Sequence, residues 1–275
     1  MPVLSLGSLV GCDFSCSPSS RKPIVIATGT IRNGRVLLAN LERLNSLDSF
    51  EKWLCVEREW VGAFDFPFGL PQELIVQLGW PMQWLSLITY YASLSRPDIR
   101  NTFALYCNAR PVGQKFAHRR VDKLCGSSPS MKWVNPPVAF MLHAGVPRLL
   151  KAGVHLPGLC SGDFKRVALE GYPGMLAREI LGKRSYKSDD KSKQTPERLI
   201  ARKDMITGLE NGRTRLGLRL KVSHSQRDAL VDDARGDSLD AVLCLMQAAW
   251  AFHRGAPMYG LPLDMDELEG WIVTA

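Results

Sequence analysis

Apolar and polar residues recur with two different periods along this chain, and the switches between them divide it into strands and helices. The run over 9–14, Leu-Val-Gly-Cys-Asp-Phe, is short and apolar, as suits a buried strand ending at an acid. Positions 24–28 are rich in β-branched residues and predict a second strand. Asn33-Gly34 is a strong hairpin signal, and 36–39 returns as a third strand, so the chain opens as an antiparallel meander. A helix of roughly three turns is expected next, with Asp48 and Glu51 near its start and Phe50, Trp53 and Leu54 on its apolar face. Residues 60–66 predict a fourth strand. Pro67-Phe68-Gly69-Leu70-Pro71 must break it, because each proline fixes φ and removes an amide donor.

Helical spacing of Trp84, Leu87, Ile88 and Tyr91 marks 72–108 as helical, and 109–135 reads as an irregular basic segment. A helix is expected over 138–151 and a strand over 164–169, followed by Glu170-Gly171-Tyr172-Pro173-Gly174 and a short helix to Leu181. The charged stretch 183–193 reads as a mobile loop. Pro196 suits the first turn of a helix reaching Leu209. A strong helix closes the pattern over 237–252, with Leu239, Val242, Leu243, Met246 and Trp250 on its buried face. The order predicts one α/β domain over 1–275. Its mixed sheet has antiparallel first three strands and parallel later ones, flanking helices, and a helical and basic insertion at 72–160.

Composition adds little to the fold but bears on the partner. The net charge of +8 favours an anionic partner such as nucleic acid. The 7 cysteines are odd in number and mostly sit in apolar runs, which fits reduced thiols in a cytoplasmic protein. Cys12 and Cys16 have no second pair at zinc-finger spacing. Leu9-Val10-Gly11-Cys12 looks like a lipoprotein cleavage box, but no basic residue precedes Arg21, and Pro2 and Gly7 interrupt the apolar run. No run is long enough to span a bilayer, so no membrane partner is expected.

The acidic residues carry the candidate chemistry. Asp13 ends the first expected strand, Asp65 the fourth and Glu170 the fifth, while Asp237 and Asp240 open the last helix. Adjacent strand ends lie about 5 Å apart, so carboxylates on neighbouring strands can converge. Residues three apart on a helix share a face, so Asp237 and Asp240 can join them. Taken singly, Asp13 reads equally well as a turn former, and Glu170, Asp237 and Asp240 read better as residues favouring a helix N-terminus. Asp65 is harder to dismiss within an apolar stretch. Together, such like charges need a cation, and hard oxygen ligands favour Mg²⁺ or Mn²⁺. Two such ions about 3.5–4 Å apart would suit a phosphoryl displacement.

Gly11-Cys12-Asp13, Phe64-Asp65-Phe66-Pro67-Phe68-Gly69-Leu70-Pro71, Glu170-Gly171-Tyr172-Pro173 and Gly236-Asp237-Ser238-Leu239-Asp240-Ala241 together resemble a widespread bacterial and archaeal family. That family, a domain of unknown function, is described as predicted nucleases of the ribonuclease H-like superfamily. The resemblance runs from Gly11 to about Trp250. It implies a ribonuclease H-like fold, with metal ligands at Asp13, Asp65 and Asp237 and helpers at Glu170 and Asp240. The last helix is also similar to that of Holliday-junction resolvases, at Asp237, Asp240 and Ala241.

Basic residues near these acids are candidates for holding phosphates: Arg119, Arg120 and Lys187, with Tyr186 as a stacking platform for a base. A solvated charged loop explains them equally well. The five histidines show no paired spacing, and serine-hydrolase, Walker A and Rossmann motifs are absent from the sequence. The expected activity is therefore metal-dependent hydrolysis of phosphodiester bonds in nucleic acid. The alternatives are a non-catalytic nucleic-acid binder on the same fold, or a hydrolase or phosphotransferase of a small phosphorylated molecule, with the insertion roofing the cleft.

Overall fold

The Asn33-Gly34 turn sets the register of the sheet. Both residues take positive φ, 50° and 70°, which a two-residue hairpin of this twist requires. The turn joins β2 (Ile24–Arg32) to β3 (Arg35–Leu44), and β1 (Ser8–Asp13) pairs antiparallel with β2. The computed structural model describes residues 8–275, so Pro2 and Gly7 of the leader-like run lie outside the described residues. Next come α1 (Leu47–Leu54) and β4 (Trp60–Phe64), which runs parallel to β1. Beyond the insertion, β6 (Asp163–Glu170) pairs parallel with β4. Short edge strands complete a seven-stranded sheet: β5 (Val154–His155) beside β6, and β7 (Arg219–Lys221) beside β3. Its order is β5-β6-β4-β1-β2-β3-β7.

Strand alternation sends Val10, Cys12, Ile24 and Ile26 to one face, where they pack with Phe50 of α1 and with the insertion. Leu9, Val25 and Ala27 go to the other, against α7 (Pro173–Leu181), α8 (Pro196–Glu210), α9 (His224–Asp232) and α10 (Asp237–Arg254). Both faces are covered, which explains why the central strands read as nearly continuous apolar runs. The expected α/β architecture with an antiparallel meander and parallel remaining strands is therefore present.

Helix α10 lies directly on β1. A Cβ on Gly11 would overlap the backbone of Ala241 and Leu245, so only glycine permits this approach. Gly11→Ala is therefore expected to cost about 3 kcal/mol, because backbone on both sides cannot yield as a side chain can. Chemical denaturation measures it, and a cost below about 0.5 kcal/mol would mean that the helix lifts off the sheet easily.

Several expected boundaries move. Helix α1 has 8 residues, nearer two turns than three, and a reciprocal Ser46–Ser49 capping box starts it ahead of Asp48. The helical stretch 72–108 divides into α2 (Gln72–Leu78), α3 (Trp84–Ser93) and α4 (Arg96–Asn108), because Gly79 ends the first with φ 63° and a Ser95–Asp98 box starts the third. The segment expected to be irregular contains α5 (Arg120–Cys125), and α6 (Val138–Lys151) follows as expected. Pattern reading misses β5, β7 and α9: two strands of 2 and 3 residues, and a helix whose only buried residues are Leu230 and Val231. Among the described residues, no helix is long and apolar enough to cross a membrane.

Candidate active site

Asp13 and Asp65 leave adjacent parallel strands side by side. Cys12 stands opposite Phe64, and the Asp65 amide donates to the Cys12 carbonyl at 2.9 Å. Alternation carries both carboxylates to the face occupied by α10, in step with Leu9 on β1 and with Val61 and Ala63 on β4. The first turn of α10 arrives there through Gly236, whose φ of 76° suits a glycine N-cap. Helix α10 takes no cap from its own first residues. Instead the Ser238 amide donates to Asp233 Oδ2 at 2.9 Å, leaving Asp237 and Asp240 free of capping duty.

Asp240 is fully buried, and its two carboxylate oxygens accept from the Tyr186 hydroxyl and the Lys187 ammonium. Tyr186 is only 8% exposed, so its ring is not open for the base stacking expected of it. The segment 183–193, expected to be mobile, is thus anchored at Tyr186 and Lys187. Buried Arg202 reinforces the anchor, donating to the Tyr186 carbonyl at 2.9 Å and to that of Val231 at 2.6 Å. Asp237 is buried too, and its Oδ2 has no hydrogen-bond partner.

The electrostatics follow from this crowding. Burial and the neighbouring Asp240 raise the Asp13 carboxyl well above its usual range, with Asp237 and Asp65 adding to the push and Lys187 opposing it. Burial and Asp240 raise Asp65 to about 7. Burial, Asp233 and Asp240 raise Asp237 to about 6. Burial by itself would lower the Lys187 ammonium, but Asp240, Tyr186 and Asp13 outweigh it and hold it well above its usual value. Lys187 thus serves as the cluster's own cation, although 43% of its side chain remains accessible.

These shifts have a definite sign. An unfolded aspartate titrates near 3.9, so between about pH 4 and 7 the folded, metal-free chain binds more protons than the unfolded one. Stability from this cluster is then lost as pH rises through that window. Relative to Asp65→Asn, the melting temperature of the wild type in chelator is expected to fall from about pH 5 to pH 7.5. Parallel curves for the two proteins would mean that Asp65 titrates as an ordinary carboxylate.

Glu170 points the other way. It stands opposite Phe64 at the end of β6 and faces the insertion, where Arg119 binds it through Nη2–Oε1 at 2.6 Å and Nη1–Oε2 at 2.8 Å. Oε2 also accepts the Phe68 amide at 2.9 Å, tying the 67–71 turn to β6. Burial pushes the Glu170 carboxyl up, against the pull of Arg119. Arg119 is 2% exposed and also donates to Asp122 from Nε and Nη2 and to the Glu269 carbonyl from Nη1. All five guanidinium N–H groups are engaged, so Arg119 has no donor left for a substrate phosphate. Arg120 departs from expectation as well. It pairs with Asp264 at 3.0 Å, stands over Trp271, and lines a separate depression.

A cavity of about 420 Å³ opens beside the cluster, with Asp65, Glu170, Asp240 and Lys187 in its lining, whereas Asp13 and Asp237 do not line it. The insertion contributes Pro136, Val138 and Met141 to the lining, and α7 with the loop after it contributes Arg178 and Arg184. Among the described residues, no three His, Cys, Asp or Glu side chains stand together in a metal-ligating group. The Lys187 ammonium instead pairs with Asp240.

Several residues that build the site escaped the sequence reading: Asp122, Asp233, Arg202 and Arg178. Asp122 left a faint trace in its spacing of three from Arg119 at a helix start. Arg202 meets its partners, the Tyr186 and Val231 carbonyls, only through the tertiary fold. No protein-family model, curated protein or solved structure matches the chain, so the functional reading rests on the geometry of these residues.

Proposed function

We propose that the protein is a divalent-metal-dependent nuclease of the ribonuclease H-like class, hydrolysing phosphodiester bonds at the Asp13, Asp65, Asp237 and Asp240 cluster. One observation carries this reading: these carboxylates gather at two adjacent parallel strand ends and one helix start, with Oδ2 of Asp237 buried and unpartnered. An antiparallel meander, a helix and then parallel strands is also the pattern that the family resemblance implies.

The donor set fits a hard cation. It consists of carboxylate oxygens, several of them raised in pKa by burial and by neighbouring carboxylates, a repulsion that a divalent ion would relieve. Asp13, Asp65 and Asp237 would hold Mg²⁺ or Mn²⁺, with Asp240 orienting Lys187 and Tyr186. The bound ions would supply an activated water and stabilise the leaving oxygen. The chain's own groups do the rest. Lys187 can turn from Asp240 to a substrate phosphate, Arg119 and Glu170 fix the turn behind Asp65, and the apolar wall keeps bulk water away.

A second reading, hydrolysis of a small phosphorylated molecule, draws support from the limited size of the cavity. Calorimetric titration of the wild type with Mn²⁺ and Mg²⁺, alongside cleavage assays on single-stranded and duplex DNA and RNA, tests both. Metal binding with metal-dependent cleavage of nucleic acid is expected. Metal binding without nucleic-acid cleavage would favour the second reading. No metal binding, even with nucleic acid present, would refute both and leave a non-catalytic binder.

A further inference from the structure

The cavity has a shape and a division of chemistry that bear on the substrate. Its volume of about 420 Å³ lies in the range of sites that enclose one small molecule. One wall is apolar, formed by Pro136, Val138 and Met141 of the insertion. Tyr172 also lines the cavity, its hydroxyl accepting from Arg178 Nη1 at 2.9 Å and the guanidinium carbon 5.2 Å from the ring centre, so the ring is held in place as an aromatic surface suited to a base. Asp65 and Lys187 also line the cavity, a carboxylate and an ammonium suited to a phosphate and its counter-ion, with Asp240 holding Lys187.

A duplex offers its phosphates only with a paired, stacked base on each strand. To place its phosphate at Asp65 inside this cavity, a nucleotide must leave that stack, at an unstacking cost that a single strand largely avoids. We propose that this cavity admits a single nucleotide unit, its base between the insertion wall and Tyr172 and its phosphate toward Asp65 and Lys187, so that the substrate is single-stranded nucleic acid or a free nucleotide rather than a duplex. This inference rests on reading the carboxylates as a phosphoester site. The two sources share one recognised chemistry, a base joined to a phosphate. Tyr186 is buried and takes no part in the stacking.

The test is binding, read without turnover. The four nucleoside 5′-monophosphates are titrated by calorimetry, and a short labelled single strand and its blunt duplex by anisotropy, each in Ca²⁺ and in chelator. The single strand is expected to bind at least about tenfold tighter than the duplex, a difference of about 1.4 kcal/mol. A monophosphate that binds as well would identify free nucleotides as a source, and one that does not would assign the site to strands. Val138→Trp and Met141→Trp, two independent ways of filling the cavity, are each expected to weaken single-strand binding at least about tenfold. Neither residue belongs to the carboxylate cluster, so both variants should keep the Mn²⁺ affinity of the wild type. Equal affinity of the wild type for single strand and duplex would overturn the inference whether or not the variants fold. So would wall variants that fold and bind the single strand as the wild type does. Absence of metal binding in the wild type would instead overturn the carboxylate reading. The single-strand comparison in chelator would then still judge the cavity on its own.

Discussion

Arg119→Met is expected to lower folding stability by about 3–5 kcal/mol, the usual cost of leaving a buried ion pair with one partner missing. The side chain is 2% exposed and bridges Glu170, Asp122 and the Glu269 carbonyl, which come from three separate stretches of chain. Methionine fills much of the volume but strands two buried carboxylates without a counter-charge. Urea denaturation measures the loss. Adding Glu170→Gln and Asp122→Asn to the same chain should recover part of it, because the neutral amides no longer need that counter-charge. A single-variant cost below about 1 kcal/mol would mean that the triad is as weak as a surface pair and does not brace the turn behind Asp65. The effect should reach the site as well, since the Phe68 amide held by Glu170 lies in that turn.

Asp65→Asn should separate function from stability. Activity is expected to fall at least about 100-fold, since outer-shell changes at metal sites already cost 10–100-fold and Asp65 is read as a direct ligand. Metal-free stability should rise in the same protein above about pH 7, because burial and Asp240 oppose the charged form of this carboxyl and hold its pKa at about 7. Amide and carboxyl are nearly the same size, so packing changes little. Opposite signs are the mark of a functional site that the fold tolerates at a cost. Turnover equal to the wild type in purified Asp65→Asn would rule out the carboxylate assignment, and an unchanged melting temperature would mean that Lys187 already neutralises the cluster.

The two variants probe acids that looked equivalent along the chain. Asp65 and Glu170 each end a strand next to a proline-bearing turn. Alternation in the sheet turns them to opposite faces, Asp65 toward α10 and Glu170 toward the insertion. Glu170 there found Arg119, which it shares with Asp122. A sequence shows that a strand ends in an acid, but the face is fixed only when its neighbours pair in register.

Local signals were legible where a single residue imposes a backbone state. Asn33-Gly34 announced its hairpin, Pro173 and Pro196 opened helices, and the apolar repeat over 237–252 marked the helix that proved the most buried. The antiparallel meander and the parallel strands after it could likewise be read from element order. The edge strands and α9 could not, because strands of 2 or 3 residues and a helix with two buried side chains carry almost no periodic signal.

Basic residues were the least legible. Arg119, Arg120 and Lys187 were equivalent in the sequence as positive charges near acids, yet one became a buried brace, one a surface pair and one the cation of the carboxylate cluster. By itself, the sequence determined the longer central elements, their order and the set of acids available, because backbone preference and hydrophobic period act over a few residues. Only the tertiary structure decided which charges meet. The reason is physical: the energy of a charge depends on burial and on partners within a few ångströms, and those partners here lie tens to hundreds of residues away along the chain.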